Sequence, residues 1–225
     1  TLFRSSLDRD KLLEASRLRD PFQRAHEVVQ YYISALEKIQ ERDEKIGIGI
    51  IIVPDEVWVN CRPLSAISNG IGPKISGREI KTRKSGQFGL FDADQETYLL
   101  SPDFRRQLKA RAMELKDPIP LQIIRESTLR YSDQKQFGER GLTPLSDRLW
   151  NLSTALYYKA GGKPWKLITA REGVCYVGLA FRMKDRDTAC CAAQMFLDSG
   201  DGVVFLGKSG PWYSPKDKQF HLRPD

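Results

Sequence analysis

Apolar residues in this chain recur with two different periods, and the change from one to the other divides it. Phe22, Ala25, Val29, Tyr32, Leu36 and Ile39 follow the three-and-four spacing of a helix, behind Asp20 and Pro21, a capping side chain and a first-turn proline. The pattern predicts a helix to about Glu44. Ile46 to Val53 is then a continuous aliphatic run, which predicts a strand buried on both faces of a parallel sheet. Ser101, Pro102 and Asp103 open a second helix with Phe104, Leu108, Ala112 and Leu115 as its stripe, and Asp117, Pro118 and Pro120 stop it. "LQIIRES", 121 to 127, reads as another buried strand. Strand, helix and strand in this order predict an α/β fold built on a small doubly wound sheet.

Thr143 and Pro144 begin a third helix, whose Leu145, Leu149, Leu152 and Leu156 step by four, three and four. The next step of three lands on Lys159. A lysine is thus expected on the inward stripe, where an ammonium needs an anion or a hydrogen-bonded cage. Gly161 follows as the expected C-terminal cap. From Pro164 the texture turns to short β-rich runs, "WKLITA", "VCYVGLAFR", "DTACCAAQMFLD", "GVVFLG" and "FHLR", with turn signals at "REG", "KDRD", "SGDG" and "SPKDK". They predict an antiparallel meander that starts a second domain.

Two polar segments interrupt the periodic elements. Residues 65–94 are glycine-rich and include "GPKISGREIKTRKSG", and 130–141 read "RYSDQKQFGERG". Both are expected as surface loops, and a loop as long as the first is usually functional or mobile.

The balance of 36 lysines and arginines against 29 acids, net +7 with a pI near 9.2, points to an anionic partner. Arg105, Arg106, Lys109 and Arg111 concentrate positive charge on the second helix near its N-terminus, where backbone N–H groups already favour anions. Gln122 stands in an otherwise apolar strand and offers both a donor and an acceptor. Cys61, Cys175, Cys190 and Cys191 form no CxxC pair and read as small buried hydrophobes in a reducing compartment. Two histidines are too few for a histidine-rich metal site, and the longest aliphatic stretch is too short to span a bilayer. A chain opening on Thr1 without a signal-peptide pattern reads as processed or excerpted. No P-loop, GxGxxG, GxSxG or HExxH motif is present, so no motif supports an independent catalytic centre.

Three features together carry a resemblance: "LWNLSTALYYKAGGKPWKL" at 149–167, "CYVGLAFR" at 175–182, and the spacing of Arg105, Lys109 and Gln122. With them the chain resembles the short prokaryotic Argonautes, which consist of MID and PIWI domains. The resemblance implies a helical lead-in at 1–45, a Rossmann-like MID domain at 46–163, and the first meander of an RNase H-like PIWI domain at 164–225. It implies a guide 5′-phosphate pocket made of Arg105, Lys109, Gln122 and Lys159, with Arg111 replacing Lys109 if the helix register differs, and Mg²⁺ joining the phosphate. Thr128 and Arg130 would lie near the first guide base. Ala180 stands where slicing relatives carry their first catalytic aspartate, and a methyl group cannot ligate the ions that two-metal hydrolysis requires.

The function implied is a catalytically silent, cytoplasmic sensor without a membrane role. A guide RNA would pair with single-stranded DNA and activate an APAZ-containing effector with a Sir2-like, TIR-like or nuclease domain, in antiviral defence. Two other readings stay open: a guide-directed endonuclease using Asp185 or Asp187 in the "KDRD" turn, and an α/β nucleotide-binding enzyme unrelated to guides.

Overall fold

A computed structural model describes residues 2–42, 45–87, 95–131, 143–165, 168–169, 171–183, 189–207 and 209–220. The fold is mixed α/β and divides into two compact units, Thr1–Gly161 and Gly162–Asp225.

The first unit opens with α1 (Arg9–Ser16), capped by Asp8, and α2 (Pro21–Gln40), capped by Asp20 with Pro21 at its first position. α2 ends at Gln40, short of the predicted end; Glu44 itself lies outside the described residues. β1 (Gly49–Val53) and β2 (Leu121–Arg125) form a parallel pair with Gly49 opposite Leu121 and Val53 opposite Arg125. Gly49 lets Leu121 pack close across the pair: a Cβ there would meet Leu121 Cδ2 at 2.6 Å, so the leucine would have to shift. Between the strands run α3 (Asp55–Asn60), α4 (Gly77–Lys84), α5 (Gln95–Leu99) and α6 (Phe104–Met113); a 3₁₀ turn (Glu126–Leu129) and α7 (Leu145–Lys159) follow β2. Gly161, at φ +88°, ends α7 by donating its N–H to the Tyr158 carbonyl, as the sequence predicts.

The main core lies on one face of the strand pair. Ile51, Val53 and Leu121 meet Val29, Tyr32, Ile33 and Leu36 of α2 and Phe104, Leu108 and Ala112 of α6. α2 therefore carries much of this core, with Arg24 completely buried at its start and bonded to the Leu18, Arg19 and Ser65 carbonyls. The prediction of a strand buried on both faces does not hold for β1: Ile50 and Ile52 are each 51 % exposed and alternate with the buried positions. α7, which contacts β2, leaves Leu149 54 % exposed and the rest of its leucine stripe only partly covered. One buried face needs alternation, whereas the run of isoleucines carries no mark of which face that is.

The segment expected as one long loop is partly regular. The Leu18–Ile71 bridge ties its start to the α1–α2 connection, and α4, capped by Ser76, stands within it. Residues 88–94 lie outside the described residues, as does most of the second polar segment.

The second unit is the predicted antiparallel meander. β3 (Tyr176–Met183), β4 (Ala189–Phe196) and β5 (Gly202–Leu206) pair in sequence order, and β6 (Tyr213–Ser214) pairs with β7 (Gln219–Phe220). Ile168 and Thr169 of the expected first strand lie in a turn, while "HLR" of the last falls outside the described residues. Cys61 and Cys191 are buried as expected and Cys190 is half-buried, but Cys175 is exposed at the approach to β3.

The two helical stripes predict different costs. Leu108→Ala should destabilise the first unit by roughly 2–5 kcal/mol, because it opens a cavity in a fully buried site. Leu149→Ala should cost less than about 1 kcal/mol. Chemical denaturation of the two variants checks the ordering.

Candidate anion site on the first unit

The register of β1 and β2 sends Gln122 to the face opposite the main core, in line with Ile50, Ile52 and Ile124. α7 covers that side of β2, and Lys159 at its last turn reaches back to the strand. Its Nζ donates to Gln122 Oε1 at 2.5 Å, while Gln122 Nε2 donates to the Ile123 carbonyl at 3.3 Å. Burial, and then the positive charge of Lys109, hold the Lys159 pKa below the ordinary lysine value. Lys109, on the exposed middle of α6, is therefore close enough to act on Lys159 electrostatically. Neither lysine has an ion-pair partner among the described residues.

Three of the predicted pocket residues, Lys109, Gln122 and Lys159, thus come together from a helix middle, a strand start and a helix end. Two do not join them through any described contact. Arg105 lays its guanidinium 5.0 Å from the Trp58 ring centroid and sits 3.6 Å from Asp103, while Arg111 donates to Gln30 Oε1 at 2.7 Å. The α6 N-terminus is not an open anion site either. The nearly buried Asp103 carboxylate caps it through the Arg105 N–H and lies 3.7 Å from Arg106 as well. The cap supplies the negative charge that the first helical turn favours, so the unmatched positive charge lies one turn further on, at Lys109.

Thr128 lines a small apolar cleft of about 140 Å³ between the 3₁₀ turn and α7, with Leu129, Leu145, Leu149 and Leu152. Arg148, almost wholly buried, holds this turn by donating to the Thr128 and Arg130 carbonyls at 2.7 Å each. Arg130 itself is 3.6 Å from Asp55. Burial pushes the Asp55 carboxyl up, but hydrogen bonds from the Ser127 hydroxyl, Arg125 and the Ser127 N–H outweigh it and hold the pKa below the ordinary value. Trp58, which also has Arg125 at 5.9 Å, and Asp55 were not singled out in the sequence. A signal existed for Asp55: it stands two residues beyond β1, at the carboxyl end of a parallel strand, where α/β folds place polar groups that bind or organise ligands.

Ala180 lies within β3 opposite Ala192 of β4, so neither side chain of the pair offers a metal ligand. Asp185 and Asp187 lie outside the described residues. Among the described residues no cluster of three histidine, cysteine or acidic side chains is placed to hold a metal, and no helix is long and apolar enough to cross a membrane.

Lys109→Met should raise the Lys159 pKa toward the ordinary value of 10.5, as read from lysine side-chain NMR titration. The sign for stability follows. The folded pKa is depressed, so the unfolded chain keeps its proton to higher pH, and the cost of folding with Lys159 charged is complete below the folded pKa. Stability relative to Lys159→Met should then rise with pH between the folded pKa and 10.5. A Lys159 titration unmoved by Lys109→Met would remove Lys109 from the site.

No protein-family model matches this chain, and a comparison with curated proteins finds no significant match. The functional reading therefore stands on the residues themselves, above all on Lys159, bonded to the Gln122 amide, and the charge of Lys109 that acts on it, neither with an ion-pair partner among the described residues.

Proposed function

We propose that the first unit holds the 5′-phosphate of a guide strand between Lys109, Gln122 and Lys159, and that the chain is a guide-directed sensor of the short Argonaute kind. One observation carries the reading: two lysines without acidic partners among the described residues converge where Gln122 already orients one of them. A phosphate supplies the charge that this arrangement lacks, and charge-assisted N–H···O bonds are about twice as strong as neutral ones. The mixed α/β first unit and the β3–β4–β5 meander are compatible with a Rossmann-like MID domain and the start of an RNase H-like PIWI domain. Arg105 would join the phosphate only by leaving Trp58, so it is assigned a secondary role.

The donor set does not fit Mg²⁺. Lys109 and Lys159 only donate, and Gln122 Oε1 already accepts from Lys159, so no step is assigned to a metal ion. Thr128 and the apolar cleft beside it would receive the first guide base, with Arg130 nearby. Sequence recognition of single-stranded DNA would rest on pairing with the guide, RNA in this reading, while the protein contacts backbone. Ala180 makes the chain a binder rather than a nuclease, so the output would come from an APAZ-containing partner in the cytoplasm.

Lys109→Ala and Lys159→Ala should each weaken binding of a 5′-phosphorylated guide by roughly 10- to 100-fold, the loss expected for one charge-assisted hydrogen bond. A 5′-hydroxyl guide of the same sequence should lose far less. Fluorescence anisotropy with the two guides measures both. Equal losses for the two guides would sink the pocket assignment.

A further inference from the structure

We propose that the outer ridge of α4, formed by Arg78, Lys81 and Lys84, is a second nucleic-acid contact that grips backbone phosphates regardless of the strand's 5′ end or sequence. The three cations step by three along the helix and are therefore neighbours on its surface. All three are exposed, and none has an ion-pair partner among the described residues. The single acid of the helix, Glu79, is bonded by Arg83 at 2.8 Å instead. The ridge therefore faces outward with its charge uncompensated.

Its mounting separates it from an ordinary solvated basic run. Arg83, 9 % exposed, donates to the Tyr98 hydroxyl at 2.6 Å, and that hydroxyl in turn donates to Asp20, the cap of α2. Tyr98 packs against Phe22 with ring centroids 5.5 Å apart, and the Lys84 ammonium stands 4.7 Å from the centroid of the Phe22 ring. α4 is thereby fixed through α5 to the start of the helix that carries the core. Cations held on a rigid element give up less conformational entropy on binding than the same residues in a free loop.

The occupant these features fit is a nucleic-acid strand. Phosphates provide a row of charges that matches a row of cations. A membrane surface fits less well, because a helix lying on lipid needs large apolar residues beside its basic face. α4 has only Ile80, half-buried, and its remaining exposed residues are polar or glycine.

The inference rests on the reading that the chain binds nucleic acid, and the test separates the two. Affinity for single-stranded oligonucleotides with a 5′-phosphate or a 5′-hydroxyl is measured as a function of salt, for the natural chain, Arg78→Gln/Lys81→Gln, Arg78→Lys/Lys81→Arg and Lys159→Ala. Both glutamine substitutions spare Arg83 and Lys84, hence the mounting. The glutamine variant should weaken both oligonucleotides alike and reduce the slope of log K against log salt by about 1.4, at ~0.7 per phosphate of a single strand. The charge-retaining variant should keep the natural slope. An unchanged slope in the glutamine variant, or an equal loss in the charge-retaining one, overturns the proposal. So does binding of the natural chain to anionic phospholipid vesicles that the glutamine variant loses while its oligonucleotide slope is intact. Lys159→Ala acts as the separate arm: loss of the 5′-phosphate preference with an intact slope belongs to the pocket. If Lys159→Ala leaves that preference intact while the glutamine variant still loses its slope, the pocket reading fails and the ridge stands.

Discussion

Lys159 sits where an ammonium is costly to place, and how its charge is met governs the reading of the whole first unit. It gains one amide oxygen, from Gln122, and faces the charge of Lys109. An amide carbonyl satisfies one of three N–H groups but supplies no net negative charge. Two positive groups left in this state repel, and partial burial strengthens the repulsion because less water screens it. An anion placed between the two lysines, as the proposed reading has it, would turn that repulsion into attraction.

The rest of the unit shows how charge is met elsewhere around the strand pair. Near the carboxyl ends of β1 and β2, arginines are abundant but matched: Asp103 lies beside Arg105 and Arg106, and Asp55 takes Arg125 and Arg130. Trp58 offers its face to both Arg105 and Arg125. These contacts fix side chains and balance charge, which suits a framework. At the start of β2 no carboxylate among the described residues performs that service for Lys109 or Lys159. Register then does the positioning, since a slip of one residue along β2 would turn Gln122 into the core and Ile123 toward α7. Gly49 protects that register by admitting Leu121 across the pair.

Much of this was legible in the chain because helix caps and periods are local properties. Asp20–Pro21, Asp103 and Gly161 mark real helix ends, and Lys159 stands out simply by continuing a leucine series. The meander was legible too, from turn residues spaced between β-rich runs. What sequence could not show was long-range. A run of isoleucines does not declare that only alternate residues are covered, so β1 was expected to be buried on both sides. Likewise Arg105 and Arg111 share a helix with Lys109, but Trp58 and Gln30, distant in sequence, turn them to other partners. The basic residues of 78–84 looked like loop residues because nothing local announces that Tyr98 and Asp20 will anchor them.

If the proposed reading holds, two modes of holding a polyanion follow from the two kinds of cation. Lys159 is partly enclosed and bonded to one amide, with Lys109 acting on it from the exposed face of α6, and under the proposed reading the two suit a compact terminal phosphate, whose second charge answers both lysines at once. The α4 ridge is open and linear, and suits diester phosphates that carry one charge each. A terminal group fixes where a strand begins, whereas a ridge adds affinity along it without choosing a sequence. Cutting the strand would need oxygen ligands for metal ions, and at the β3 position where the resemblance expects the first of them there is a methyl group facing another alanine. Under the proposed reading, the chemistry of this chain is holding a strand, and base pairing by that strand supplies the selectivity.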